Sequence, residues 1–93
     1  MIQTFRCADT QALFEGEKIA RFRQIERVAI RTLQQVNAAA TLDFLRVPPG
    51  NRLEKLTGDR INQWSIRIND QWRICFTFDD GNAFGVEIVD YHH

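Results

Sequence analysis

The sequence predicts an α+β fold: an antiparallel sheet of about four strands, in the order β-α-α-β-β-β, packed against an N-terminal helical layer. Three observations carry this expectation. Apolar residues in the first half recur at three- and four-residue steps over one long stretch, the signature of an amphipathic helix. After Gly58-Asp59 the period changes to strict alternation, which is that of half-buried strands. Two polar turn signals, Asn69-Asp70 and Asp79-Asp80-Gly81-Asn82, then divide the alternating region at hairpin spacing.

The elements follow in chain order. Ile2 to Phe5 reads as a short strand, ended by Asp9-Thr10, which can cap a brief helix over Gln11 to Phe14. Glu17 to Ala39 reads as one long helix, with Ile19, Phe22, Ile25, Ala29, Leu33 and Val36 as its apolar stripe. Thr41 to Leu45 adds a further helical turn, and Val47-Pro48-Pro49-Gly50-Asn51 stops it, because proline disfavours helical geometry at itself and at the residue before. Trp64, Ile66 and Ile68 then alternate with Ser65 and Arg67. Trp72, Ile74, Phe76 and Phe78 alternate with Arg73, Cys75 and Thr77, and Phe84, Val86 and Ile88 alternate with Gly85 and Glu87. Three strands at this spacing form a meander whose apolar face receives the amphipathic helix.

A chain of 93 residues, taken as one domain over 1–93, agrees with the usual domain size. Hydrophobic residues at 44% and aromatics at 11% suffice for one modest core, although small domains bury a smaller share of their surface and gain less stability. No apolar run approaches the roughly 20 residues that a membrane helix needs. The start, Met1-Ile2-Gln3-Thr4-Phe5-Arg6, lacks the long apolar stretch of a secretory signal. Cys7 and Cys75 stand apart in strand-like contexts, as buried thiols of a reducing cytosol would, and no close-spaced metal motif is present.

Net charge is zero and the pI is about 6.7, so nothing global marks a nucleic-acid binder. The cations are nevertheless lopsided: of the 12, all but Lys18 and Lys55 are arginines. Guanidinium groups favour bidentate contacts to phosphate and stacking on bases. On the long helix, Arg23, Arg27 and Arg31 line the face opposite the apolar stripe, as either a solvated surface or an RNA contact. By strand parity Arg67 and Arg73 point away from Ile66 and Ile74, facing out as solvated ladder residues or as an anion site. Asp90-Tyr91-His92-His93 follows the last strand and brings a carboxylate, a phenol and an imidazole close to that patch if the last strand pairs beside Arg73.

The stretch Gly58-Asp59-Arg60, the run Trp64-Ser65-Ile66-Arg67-Ile68-Asn69-Asp70-Gln71-Trp72-Arg73-Ile74-Cys75-Phe76 and the closing Glu87-Ile88-Val89-Asp90-Tyr91-His92 resemble the HigB branch of the RelE/ParE toxin superfamily. Phe5-Arg6 and Leu13-Phe14 fit that branch too, so the resemblance covers nearly the whole chain. It implies a RelE-like fold and the toxin role of a type II toxin–antitoxin system, acting as a ribosome-dependent mRNA endoribonuclease that cuts translated mRNA in the A site of the 30S subunit. It further implies a cytoplasmic location, no metal or other cofactor, and a HigA-like helix-turn-helix antitoxin through which the complex meets operator DNA.

Within that resemblance Arg73 matches the arginine that contacts the scissile phosphate, and its fork geometry suits the task. His92 is the leading proton carrier, Asp90 a second acid/base or the group that orients the imidazole, and Tyr91 a platform for a splayed base. Arg67, Lys55 and Arg60, with Arg23, Arg27 and Arg31, are the candidate RNA contacts. Two places depart from the family pattern. Where members of this branch often carry His and Lys before Gly-Asp-Arg, this chain holds Glu54 and Thr57, which removes two proton or phosphate contacts and leaves Lys55 as a stand-in. The competing readings are a ParE-like toxin that inhibits gyrase by binding, and a catalytically degenerate antitoxin-binding module.

Overall fold

The computed structural model describes residues 1–91. The element order is α1 (Ala8–Phe14), α2 (Glu26–Ala38), β1 (Glu54–Lys55), β2 (Trp64–Arg67), β3 (Trp72–Asp79) and β4 (Asn82–Asp90), with short 3₁₀ segments between them. The four strands form one antiparallel sheet in the order β1-β2-β3-β4, and the helices cover one of its faces, so the α+β class stands.

The turns close as their residues dictate. The Asn69 side-chain oxygen accepts hydrogen bonds from the amides of Gln71 and Trp72, both at 2.8 Å, an Asx turn between β2 and β3. Between β3 and β4, Asp80 (φ 49°) and Gly81 (φ 78°) are both left-handed, the conformation in which a two-residue turn follows the twist of its strands. On the covered face Ile66, Ile74, Phe76, Val86 and Ile88 meet Leu13, Phe22, Ile25, Ala29, Leu33 and Val36 in one core. Phe22 stands edge-on to Trp72 with ring centroids 5.7 Å apart.

Four local expectations are corrected. The helix expected over Glu17 to Ala39 is two pieces, a 3₁₀ segment at Ala20–Ile25 and α2, joined where Ile25 leaves helical geometry at φ −111°, ψ 4°. Its apolar steps give the reason. Ile19, Phe22 and Ile25 are spaced by three residues twice over, which aligns them on a 3₁₀ helix. The longer steps from Ile25 to Ala29 and Leu33 fit an α-helix.

The brief helix starts at Ala8 rather than Gln11, with Cys7 at the N-cap and no side-chain capping bond. Thr10 is fully buried instead, its hydroxyl accepting the Ile88 amide at 3.0 Å. The strand at Ile2 to Phe5 reduces to isolated parallel bridges, Ile2 to Ala83 and Phe5 to Val86. Between them Thr4 uses its hydroxyl to accept the Gly85 amide at 2.7 Å. The fourth strand of the sheet is instead β1, at the other edge.

The last strand carries a bulge. Gly85 adopts φ 60°, and the β3–β4 register shifts between Cys75 and Thr77. An extra residue inverts the faces of everything before it. Ala83, Val86 and Ile88 are therefore buried, while Phe84 leaves the core face and pairs with exposed Thr77.

After α2 the chain turns through 3₁₀ segments at Asp43–Arg46 and Pro49–Asn51. Buried Asn51 ties this loop down, donating to the Gln35 side chain at 3.1 Å and to the Leu45 carbonyl at 3.2 Å. That anchoring delivers residues 52–63 across the second face of the sheet.

Candidate active site on the second sheet face

Strand register decides which side chains share the second face. Ser65 pairs with Cys75 and Cys75 with Glu87, while Arg67 pairs with Arg73 and Arg73 with Val89. Paired residues point the same way, so this face carries Ser65, Arg67, Arg73, Cys75 and Glu87, and Tyr91 continues it by alternation. β1 adds Glu54, paired with Ser65.

Arg73 is the centre. Parity places it as the sequence reading held, but it is not an outward-facing ladder residue: it is only 8% exposed. The loop over residues 52–63 covers it and supplies partners. Its Nε donates to Ser65 Oγ at 2.8 Å and its Nη2 to the Arg52 carbonyl at 2.8 Å, with Arg52 itself left-handed at φ 46°. The Glu54 carboxylate stands 3.6 Å from Nη2, and the guanidinium carbon lies 5.4 Å from the centre of the Tyr91 ring. Such a cation over an aromatic face is attractive. Two fixed hydrogen bonds and a ring hold the fork in one orientation.

A second arginine frames the site. Arg60 Nη1 donates to Glu87 at 2.8 Å and to the Gln63 side chain at 3.1 Å, and Arg6 approaches Glu87 at 4.0 Å. The hydrogen bond to Glu87 raises the Arg60 pKa further above its ordinary value. Arg60 is thus a clamp on β4. Burial pushes the Cys75 thiol up, against the opposing pull of Arg60, so that thiol stays protonated.

The other candidate residues fall in different places. Arg67 shares the Arg73 face and pairs with the Asp70 carboxylate. Asp90 pairs in register with Trp72, on the opposite face, and accepts a hydrogen bond from the Gln71 side chain at 3.1 Å. The structure therefore brings Tyr91 to Arg73 but not Asp90. Lys55, in register with Trp64, also points to the other side from Glu54. Thr57 is exposed. Arg23, Arg27 and Arg31 are all exposed and border one shallow hollow of ≈ 360 Å³. They belong to the helical layer, across the sheet from Arg73. His92 lies outside the described residues. Among the described residues no group of three His, Cys, Asp or Glu side chains is placed to hold a metal ion.

Sequence reasoning missed Ser65 and the Arg52 carbonyl as the holders of Arg73, and it treated Glu54 as a lost contact. Alternation in β2 does set Ser65 on the arginine face. The Arg52 carbonyl carries no sequence signal, since any residue has one.

Fold and site together define a small RelE-like α+β protein with a fixed arginine on the open side of its sheet. Residues 4–92 match the HigB-like toxin family, described as the RelE-like toxin of the type II toxin–antitoxin system HigB. The chain belongs to that family. It is 39% identical over 75 residues to Toxin HigB-1 of Vibrio cholerae serotype O1, covering 78% of this chain and 79% of that one. It is 32% identical over 94 residues to Endoribonuclease HigB of Proteus vulgaris, covering 99% and 100%. Among solved structures, the heterotetrameric YoeB–YefM toxin–antitoxin complex of Staphylococcus aureus contains a chain that superposes with a TM-score of 0.62. At 16% identity, with 100% of this chain and 99% of that one covered, this likeness speaks for the fold.

Proposed function

We propose that this toxin is a ribosome-dependent endoribonuclease that cuts mRNA in the A site of the 30S subunit and so stops translation in the cytoplasm. The observation that carries the reading is the Arg73 guanidinium, held by Ser65 and the Arg52 carbonyl beside the Tyr91 ring. A fixed cation next to a stacking surface suits a phosphate and its neighbouring base. The 2′-hydroxyl of the ribose attacks the adjacent phosphorus, and the 5′-oxygen leaves. Arg73 steadies the charge on the phosphorane, Tyr91 stacks on a splayed base, and His92 protonates the leaving oxygen. Asp90, tied to Gln71, fixes the end of β4 so that Tyr91 stays near the site.

The Arg23, Arg27 and Arg31 surface is the second contact, with rRNA, and Arg67 meets the mRNA backbone. The partner that silences the toxin is a HigA-like helix-turn-helix antitoxin, through which the complex binds operator DNA. Support for the endonuclease reading comes from the P. vulgaris relative, which bears that name.

Expression without the antitoxin should arrest growth and leave mRNAs cut inside translated codons, while purified RNA without ribosomes stays whole. Robust cleavage of naked RNA overturns the ribosome dependence. Growth arrest with intact mRNA and blocked gyrase overturns the nuclease reading.

A further inference from the structure

We infer that Arg6 and Arg60, which converge on Glu87, form a second phosphate site that holds the mRNA linkage next to the one cut at Arg73. The inference rests on the endonuclease reading and adds a subsite to it.

Two separate parts of the chain bring these arginines together. Arg60 lies in the segment over residues 52–63, and its Nη1 donates to Glu87 Oε1 at 2.8 Å. Arg6 comes from the N-terminal stretch beside β4, where its amide donates to the Val86 carbonyl at 3.0 Å. Its Nη1 stands 4.0 Å from the same Glu87 oxygen. Two guanidiniums around one carboxylate leave a net positive charge. At 4.0 Å the Arg6 contact is beyond hydrogen-bond length, and the Arg6 side chain is 59% exposed. Its fork is therefore open to a phosphate, which a guanidinium can meet with two parallel N–H donors. Among the described residues Arg60 uses only Nη1, on Glu87 and Gln63. Its Nε and Nη2 are left for the same anion, on a side chain 35% exposed. Glu87, 15% exposed, keeps the two like charges near each other and so shapes the site.

Register sets the distance from Arg73. Val89 is the β4 partner of Arg73, and Glu87 and Tyr91 flank Val89 two residues to either side. Glu87 itself pairs with Cys75, two residues along β3 from Arg73. Two residues of strand are about 7 Å and neighbouring strands about 5 Å apart, so positions 73 and 87 are roughly 8 Å apart. One nucleotide of an extended strand spans that step. A message laid along this face thus meets Tyr91 with a base, Arg73 with the scissile phosphate, and Arg6 and Arg60 with the next phosphate. The other arginines do not suit this place. Arg67 is paired with Asp70, and Arg23, Arg27 and Arg31 lie across the sheet in the helical layer.

The test uses the full chain, purified with its antitoxin and released, on ribosomes programmed with short messages. One message is unmodified; two others carry a neutral methylphosphonate at the first linkage on the 5′ or the 3′ side of the cut. On the unmodified message Arg6→Gln should raise KM about 10-fold, the scale of one hydrogen-bonded charge contact. It should leave kcat nearly unchanged, as loss of uniform binding does. The plot of log kcat/KM against log salt should flatten by about 0.7, the share of one single-strand phosphate. Melting should hardly move, because an exposed ion pair contributes little. Arg6→Lys should recover part of the KM. Arg60→Gln should raise KM as well, but with a lower melting temperature, since the clamp on Glu87 goes with it. One of the two neutral linkages should raise the wild-type KM to the level of Arg6→Gln, and on that message Arg6→Gln should add nothing. A wild-type KM for Arg6→Gln, or an equal further rise on both neutral messages, overturns the subsite and leaves the endonuclease reading intact; the second result assigns Arg6 to rRNA instead. A wild-type protein that leaves ribosomal mRNA uncut removes both.

Discussion

Over residues 73–76 the two faces of β3 both bury their residues, and for opposite reasons. Ile74 and Phe76 on one face are fully buried, and on the other Cys75 is fully buried and Arg73 nearly so, at 8%. The first pair is covered by apolar side chains of α1, α2 and the 3₁₀ segment. The second is enclosed by polar groups, the Arg52 carbonyl and Glu54 carboxylate of the segment over residues 52–63, the Ser65 hydroxyl of β2 and the Glu87 carboxylate of β4. Burial against side chains is non-directional and scales with area. Burial against polar atoms depends on each bond being made. Shape and volume should therefore rule one face, and individual hydrogen bonds the other.

The largest effect that would break this comparison lies on the apolar side. Phe22 is fully buried and stands edge-on to Trp72. Phe22→Ala should cost about 3–5 kcal/mol, enough to unfold much of a small domain, whereas a volume-conserving Phe22→Leu should cost less than half of that. Denaturant titration of the antitoxin-free protein measures both. Equal losses in the two variants would mean that the face depends on a specific ring contact rather than on volume.

On the polar side the conservative change should be the informative one. Arg73→Lys keeps the charge but loses the fork that serves Ser65 and the Arg52 carbonyl at once. About 1–3 kcal/mol of stability should go with it, the usual cost of a polar partner left unsatisfied. In the proposed mechanism ribosomal cleavage should fall further than stability does, since an ammonium does not offer a phosphate the planar donor array of a guanidinium. A Lys variant that melts and cuts like wild type would make Arg73 an ordinary cation. Arg73→Ala is the less telling variant, because it removes the guanidinium charge and the support of the loop over residues 52–63 together.

The same contrast sets what was legible beforehand. Apolar period 2 in Trp64, Ile66, Ile74 and Phe76, and the core stripe from Phe22 to Val36, follow from side-chain chemistry alone, so the sheet and its helical cover could be read in advance. The 3₁₀ start of the helix was also written there, in the two three-residue steps of Ile19, Phe22 and Ile25, but a 3.6-residue template averages over it. What escaped depends on backbone geometry. One bulge at Gly85 inverts the strand before it and sends Phe84 out of the core. Register against Trp72 turns Asp90 away from Tyr91's partner, as alternation alone required once the two were placed on one strand. Glu54 needed more, since only the pairing of a two-residue strand with Ser65 brings it to Arg73. Arginines were easy to flag and hard to place: Arg60 is a structural clamp and Arg73 a buried fork, and nothing in their residue type separates them from exposed Arg27.

The smallest effect, and the last check on the comparison, is in the two thiols. Cys7 sits half-buried at the start of α1. Burial opposes its ionisation, but hydrogen bonds from the Thr10 hydroxyl and amide and the Asp9 amide, with the charge of Arg21, bring its pKa below the ordinary value. Arg21 Nη2 lies 3.2 Å from the sulfur. Cys75 has its pKa raised, first by burial. The thiolate is the reactive form. A lowered pKa means more thiolate at a given pH, so Cys7 should react with an alkylating agent at a pH where a free cysteine is still mostly protonated. Cys75 should label only as the chain unfolds, at a rate that denaturant increases. Arg21→Gln should slow Cys7 labelling by only a few fold, because the hydrogen bonds to Thr10 and Asp9 remain, and should leave melting almost unchanged, as exposed ion pairs such as Arg21 with Asp9 contribute little. Mass spectrometry of the two cysteine peptides against pH reads all three expectations. Native labelling of Cys75 at a rate similar to Cys7 would show that the loop over residues 52–63 opens freely, and the polar face would then be no more tightly closed than the surface.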